Sequence, residues 1–254
     1  MKLLTEEMTW PQIKKAIEDG YVSIIVPIGS IEQHGLHLPT GTDTFIGYNL
    51  AVRIAEKLGK ALVAPTIRPG CSDHHMNFAG TISISSALLG ELVGAYCRSL
   101  IQHGFKNILL LPTHGGNFST VARITPQLDE ELPGRIAGFA DLKEFTRVQD
   151  AILAPYGITP AQGGAHAGRA ETSWMLGYRG DLVDLDRAEA GFLGDFEAEM
   201  EKIKPSEGGF AMRMEQFSAI GVLGDPVGSQ AEIGRELLEG MAEYLADFFR
   251  KALG

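Results

Sequence analysis

Cysteine is nearly absent from this 254-residue chain. Cys71 and Cys97 are the only two, they form no CxxC pair, and two are too few for a disulfide scaffold. Basic charge is also scarce. The chain has 22 Lys and Arg against 32 Asp and Glu, a net charge of −10, which argues against nucleic acid as a main partner, since phosphate binding needs a basic surface. No apolar run approaches the roughly 18 residues of a membrane span. The opening Met1-Lys2-Leu3-Leu4-Thr5-Glu6-Glu7 turns acidic at once and lacks the apolar core of a signal peptide, so the expected location is the cytoplasm. GxGxxG and the phosphate-loop GxxxxGK are missing, which removes the nucleotide-binding signatures, and the absence of GxSxG weakens a serine-hydrolase reading.

What remains has an ordinary globular composition, 21% charged and 44% hydrophobic, and is long enough for one α/β domain over residues 1–254. Apolar runs rich in Val, Ile and Leu alternate with helix-period segments. The runs Tyr21–Ile28, Ala61–Ala64, Asn107–Leu111 and Arg135–Phe139 read as strands covered on both faces, as in a parallel sheet. Helices are expected near 44–58, 86–103, 117–131, 142–153, 170–178 and 228–252. The first carries a stripe of Ile46, Leu50, Ile54 and Leu58, and either Thr42 or Asp43 is placed to cap it. This alternation predicts a three-layer α/β/α fold with a mostly parallel sheet. Residues 190–226, with Lys202–Pro205, Glu207-Gly208-Gly209 and Gly221–Gly228, read as an irregular excursion rather than a linker.

In open α/β sheets, ligands bind beyond the carboxyl ends of the strands, and the polar clusters of this chain fall there. Glu32-Gln33-His34, followed by Asp43, comes directly after the first strand. If the chain stays extended, Glu32 and His34 point to one side with Cα atoms about 6–7 Å apart, close enough to reach one ion or two neighbouring ions. Ser72-Asp73-His74-His75 follows the second strand, and Thr113-His114-Gly115-Gly116-Asn117 the third. His166-Ala167-Gly168-Arg169-Ala170-Glu171-Thr172-Ser173 opens a helix. All of the seven histidines except His103 lie in these clusters. Carboxylate with imidazole suits zinc, manganese or iron rather than calcium. His37 is expected to pack or cap locally. A single-metal isomerase or lyase, and a non-catalytic protein in which metal ties loops together, are the readings that compete with a hydrolase.

Glu32-Gln33-His34-Gly35, Asp43, His114-Gly115-Gly116-Asn117 and His166 with Glu171-Thr172-Ser173, taken in order, resemble the creatininase family of amidohydrolases. The resemblance spans nearly the whole chain. It implies a three-layer α/β fold, two divalent metals per subunit (zinc first, manganese or iron as alternatives), frequent homohexamers and a small amide substrate. Carried over by position, it implies that Glu32, His34, Asp43 and His114 are metal ligands, with Asp43 shared by both ions. Creatininases proper carry His-Tyr-Glu-Asn where this chain has His114-Gly115-Gly116-Asn117, so a ligand carboxylate is missing and Glu171 is the expected replacement. They also place Trp-Asp and Glu-His where this chain has Gln162-Gly163 and Ala165-His166. The Gly-Gly form is similar to that of members acting on formylamino-pyrimidines or on the mycofactocin precursor. The implied chemistry is attack by water ionised between two metals on the C–N bond of a non-peptide or small cyclic or formyl amide, with a peptidase of the mycofactocin-precursor type as the alternative. His166 is the expected proton shuttle, because imidazole titrates in the right range. Ser72, His75, Gly115 and Gly116 are expected to orient the substrate.

Overall fold

Four apolar runs pair into one parallel sheet in the order β2-β1-β3-β4, with β1 Ser23–Ile28, β2 Ala61–Val63, β3 Asn107–Pro112 and β4 Arg135–Gly138. The computed structural model describes residues 2–196, 198, 199 and 212–254. Strand β1 lies between β2 and β3, with Ile24 opposite Leu62 and Ile25 opposite Leu109. Side chains alternate across the sheet and feed two cores. Ile24, Val26, Leu62, Ile108, Leu110 and Ile136 face α3 (Ser86–Gln102) and α4 (Phe118–Glu131), together with α1 (Trp10–Glu18). Ile25, Val63, Leu109, Leu111 and Ala137 face α2 (Thr42–Leu58), α5 (Leu142–Leu153), α7 (Arg169–Arg179) and α8 (Ala231–Leu253), with the one-turn α6 at Pro160–Gly163. The three-layer α/β/α expectation therefore holds, and every expected strand and helix is present within a few residues of its expected ends.

Two local readings change. Helix α1 is not among the expected elements, although Thr9 and Gln12 flank its start: Gln12 Oε1 accepts the Thr9 N–H at 2.8 Å, and Pro11 sits in the first turn. Helix α2 begins at Thr42 with Gly41 as its N-cap residue and no side-chain cap. Thr42 Oγ instead donates to Pro39 O at 2.7 Å, and the Asp43 carboxylate turns away to accept from Ser30 Oγ at 2.6 Å. The approach of α2 to the end of β1 is close. A Cβ on Gly29 would stand 2.9 Å from Thr44 Cα, so glycine at that position lets the first turn of α2 sit against the strand exit. Of the irregular stretch, 212–230 contains a single 3-10 turn, Met214–Gln216, while Lys202–Pro205 and Glu207-Gly208-Gly209 lie outside the described residues.

Candidate metal centre

The loops leaving β1, β2 and β3 converge with the start of α2 and α7 on one buried cluster. Asn117 ties the loops together. Its amide donates to Gly29 O at 2.9 Å and to Ile28 O at 3.3 Å, and its Oδ1 accepts the Cys71 N–H at 2.9 Å. Glu32, His34, Asp43 and His114 are all buried. Asp43 lies between the two imidazoles, with Oδ1 3.4 Å from His34 Nε2 and Oδ2 3.3 Å from His114 Nδ1. Glu32 Oε2 is 3.2 Å from His114 Nδ1. Glu171, from the first turn of α7, brings Oε2 to 3.8 Å from His34 Nε2 while that oxygen accepts the Ala167 N–H at 2.6 Å.

The ring protons can be assigned from the backbone carbonyls, which only accept. His34 Nδ1 lies 3.1 Å from Glu32 O, His114 Nε2 2.9 Å from Cys71 O and His166 Nε2 2.7 Å from Gln33 O. Each of these nitrogens therefore carries a proton and donates. The opposite nitrogens, His34 Nε2, His114 Nδ1 and His166 Nδ1, face carboxylate oxygens, the last at 3.6 Å from Glu32 Oε1. Lone pairs aimed at carboxylates repel unless a proton or a cation lies between them. A metal-binding histidine has this arrangement, with its other ring N–H held by a carbonyl or carboxylate.

Two further observations test the fit. Both Glu32 oxygens and His34 Nε2 lack a hydrogen-bond partner among the described residues, although all are buried. An unpaired buried carboxylate costs several kcal/mol, on the order of 5, so the cluster needs positive charge. Glu32, His34 and His166, then Glu32, His74 and His114, and then His34, Asp43 and Glu171 each bring three ligand atoms within 4.8 Å of one another. This donor set of imidazole and carboxylate fits borderline divalent ions, and it adds His74 to the residues able to hold one.

Without a cation, protons supply the compensation. Burial opposes charge on His34, but Asp43 and Glu171 overcome it and raise its pKa to about 9. Burial likewise opposes charge on His114, and Glu32 and Asp43 raise it well above the ordinary value. Burial would raise Glu32 and Asp43, yet the His114 and His34 charges hold both carboxyls well below the usual range. Glu171 is pushed up to about 7, mainly by burial. His166 is lowered to about 3 and His74 to about 4, burial being the main cause in each, so the expectation that the His166 imidazole titrates near neutrality is not met in the metal-free fold.

The expected substrate residues are placed as follows. His75 presents Nε2 to Glu32 Oε1 at 3.3 Å and Nδ1 to Gln33 Nε2 at 2.9 Å. Ser72 Oγ stands 3.4 Å from His114 Nε2, on the anchored edge of that ring. Gly115 faces open space, with only Leu142 Cδ2 at 3.9 Å from a Cβ built there. His37 does more than pack: its Nε2 is 2.8 Å from Thr172 Oγ1, linking the Glu32–His34 loop to the helix that carries Glu171. His74, which the sequence offers with His75 as a residue facing substrate, lies instead among the candidate ligands, while the sequence gives no role to Gln33, Asn117 or Ser30. The signal for Ser30 was present, since it stands two residues before Glu32 and alternation puts both on one side.

A family model described as creatininase, creatinine amidohydrolase, matches residues 6–249. The chain belongs to the creatininase family. It is a hydrolase. Mycofactocin precursor peptide peptidase of Mycobacterium ulcerans (strain Agy99) is 35% identical over 245 residues, covering 92% of this chain and 83% of that protein. Creatinine amidohydrolase of Pseudomonas putida is 31% identical over 195 residues, covering 71% and 74%. Among solved structures, a glutamate-to-glutamine variant of creatininase described as Zn-Zn type superposes with a TM-score of 0.80 at 25% identity, covering 99% of this chain and 98% of that one. Gly116 is sterically confined. A Cβ there would lie 2.2 Å from Cys71 O, the carbonyl that anchors His114, so the position has no room for a side chain.

Proposed function

We propose that the chain hydrolyses a C–N bond in a small amide or short peptide-like substrate at a centre of two divalent ions, zinc first, with manganese and iron sharing the same donor set. The observation that carries the proposal is Asp43, whose two carboxylate oxygens face the lone-pair nitrogens of His34 and His114. In this reading His34, Asp43 and Glu171 hold one ion, and Glu32, Asp43 and His114 the other. When bound, such ions supply Lewis acidity, polarising a carbonyl oxygen and making water acidic enough to ionise near neutral pH.

The chain's own groups handle the protons. His166 is neutral, its Nε2–H is held by Gln33 O, and Nδ1 is the acceptor facing Glu32. Nδ1 takes a proton from the attacking water and returns it to the leaving nitrogen. His166→Ala is expected to keep both ions and lower kcat on the order of 10²-fold, as loss of a positioned general acid–base does. Metal content with steady-state rates checks this, and loss of an ion would instead make His166 a ligand.

A peptide-derived substrate is favoured over creatinine. The named peptidase is matched over 92% of this chain and creatinine amidohydrolase over 71%, and Gly116 excludes the glutamate of creatininases proper. Residues 1–254 are taken as one unit, a cytoplasmic homo-oligomer acting on a small molecule. Among the described residues no helix is long and apolar enough to cross a membrane. A screen of formamides, cyclic amides and short peptides with zinc-reconstituted protein, alongside elemental analysis, tests the proposal. Two ions with C–N cleavage support it. One ion, or a closed site without turnover, supports the competing readings.

The histidine pKa values carry a pH prediction. His34 and His114 are raised in the metal-free fold, so the fold binds protons that the unfolded chain releases. Their stabilisation is fully present below about pH 6.5 and is lost as pH rises through about 9 for His34. Metal-free protein should therefore melt at progressively lower temperature between pH 6.5 and 9. Zinc must displace the same protons, so its affinity should rise over that window. Melting curves and competitive zinc titrations across this range check both. A flat zinc affinity would show that these imidazoles are not ligands.

A further inference from the structure

We propose that Gln33 is a positioning residue that fixes which ring nitrogen of His75 and of His166 carries the proton. Its position between Glu32 and His34 puts it where neither motif nor metal chemistry gives it a role. The inference rests on the hydrolase reading only for its kinetic consequence.

His75 and His166 each lie between Glu32 and Gln33. Their rings are 4.5 Å apart, and each presents one nitrogen to Glu32 Oε1, at 3.3 Å for His75 Nε2 and 3.6 Å for His166 Nδ1. The other nitrogens meet Gln33. The side-chain nitrogen of Gln33 has two hydrogens and three neighbours: Gly221 O at 3.0 Å, His75 Nδ1 at 2.9 Å and His166 Nε2 at 3.0 Å. His166 Nε2 is already a donor, because Gln33 O at 2.7 Å can only accept. The two amide hydrogens therefore go to Gly221 O and His75 Nδ1, which makes His75 Nδ1 the acceptor and Nε2 its N–H, on the Glu32 side of the ring at 3.3 Å from Oε1 but not aligned to hydrogen-bond it.

The amide orientation is itself fixed. Gln33 Oε1 accepts the Gly35 N–H at 2.8 Å, so a flip would place an amide NH₂ against that N–H and an oxygen against the Gly221 carbonyl. Gly221 closes the far side. It has φ +76°, and a Cβ there would fall 2.1 Å from Gln33 Oε1, so its lack of a side chain is what lets the amide lie against the turn. The backbone carbonyl and side-chain amide of one residue thus set the two rings in opposite senses. His75 turns an N–H toward Glu32, and His166 turns a lone pair toward it. One neutral base is left beside the carboxylate instead of two competing ones.

The test uses zinc-loaded protein with Gln33→Met, which removes both amide hydrogens, and Gln33→Glu, which replaces the donor by an acceptor of the same shape. Long-range ¹H–¹⁵N spectra of the histidine rings read the tautomers directly. The parent should show His75 with a pyrrole-type Nε2 and a pyridine-type Nδ1. In Gln33→Glu the His75 proton should move to Nδ1, and in Gln33→Met the two forms should mix. Both variants should keep the parent's zinc content and KM within about threefold, with kcat reduced about 10–100-fold, the usual size of losing an outer-shell partner. An unchanged His75 tautomer in Gln33→Glu overturns the proposal, as does an unchanged kcat in both variants of an active enzyme. The spectra need no turnover, so failure of the hydrolase reading and failure of this one are seen separately.

Discussion

Asp43→Ala is expected to fold, to hold neither ion after dialysis and to hydrolyse nothing above the buffer background. The reason is that, in the proposed centre, this one carboxylate would serve both ions, since Oδ1 is 3.4 Å from His34 Nε2 and Oδ2 3.3 Å from His114 Nδ1. In the proposed pairing of His34, Asp43 and Glu171 with one ion and Glu32, Asp43 and His114 with the other, Asp43 is the one ligand common to both. The substitution also removes the negative charge that holds the two imidazoles together, leaving rings that repel when both are protonated. The fold should tolerate the change. Asp43 is in the first turn of α2, where an acidic side chain is worth about 0.3–1 kcal/mol through the helix dipole. Removing one partner of a buried ion pair costs about 3–5 kcal/mol, but Glu32 stays beside His114 and Glu171 beside His34 to balance the imidazoles. Ser30 Oγ loses its acceptor at 2.6 Å, a cost of about 1 kcal/mol. Elemental analysis after dialysis and a hydrolysis assay decide the outcome. Two retained ions with normal turnover would remove Asp43 from the shared position.

Much of this is legible in the sequence, for a definite physical reason. The strands are buried on both faces, so Ile24–Ile28 and Ile108–Leu111 read as uninterrupted apolar runs, and the chemistry-bearing residues follow them directly because the strand ends are where an open sheet exposes a crevice. Long-range polar partnership was not legible. Asp43 was equally good as a cap, and what decides against that is Ser30, 13 residues away, together with His114 on a different strand exit. Gln33 looks like a spacer between two ligands until its amide meets Gly221 and the His75 ring, 188 and 42 residues along the chain. Helix α1 does carry a stripe, Ile13, Ala16 and Ile17, packed against the core that holds Ile24 and Ile108, but at nine residues it spans little more than two turns, so its helical period is shorter and weaker than that of the other helices.

Glu171→Gln should reduce the metal content from two ions per chain to one and lower kcat by about 10³-fold or more, at least the upper end for removing one electrostatic stabiliser. The group that loses its ion is His34, Asp43 and Glu171, because Glu171 Oε2 is 3.8 Å from His34 Nε2. Glutamine keeps the shape and still accepts from Ala167 N, which holds Oε2 at 2.6 Å, so the first turn of α7 should stay in place and the effect should be one of charge. The metal-free carboxyl is pushed up to about 7, chiefly by burial, so near neutrality it shares a proton that a bound cation would expel. Zinc uptake by the parent should therefore release more protons at pH 6.5 than uptake by the variant. A complementary substitution tests why this carboxylate comes from α7. Gly116→Glu in the Glu171→Gln background puts a carboxylate where creatininases proper carry theirs, and it should not restore the second ion. Its Cβ would lie 2.2 Å from Cys71 O and 2.6 Å from His114 Nε2, displacing the carbonyl that sets the His114 tautomer. Restored binding of two ions would mean that the loop relaxes and that Gly116 is not sterically required. Two tightly held ions in Glu171→Gln alone would mean that this carboxylate is not a ligand, and that another donor replaces it beside His34, for which His166, grouped with Glu32 and His34 within 4.8 Å, is the candidate.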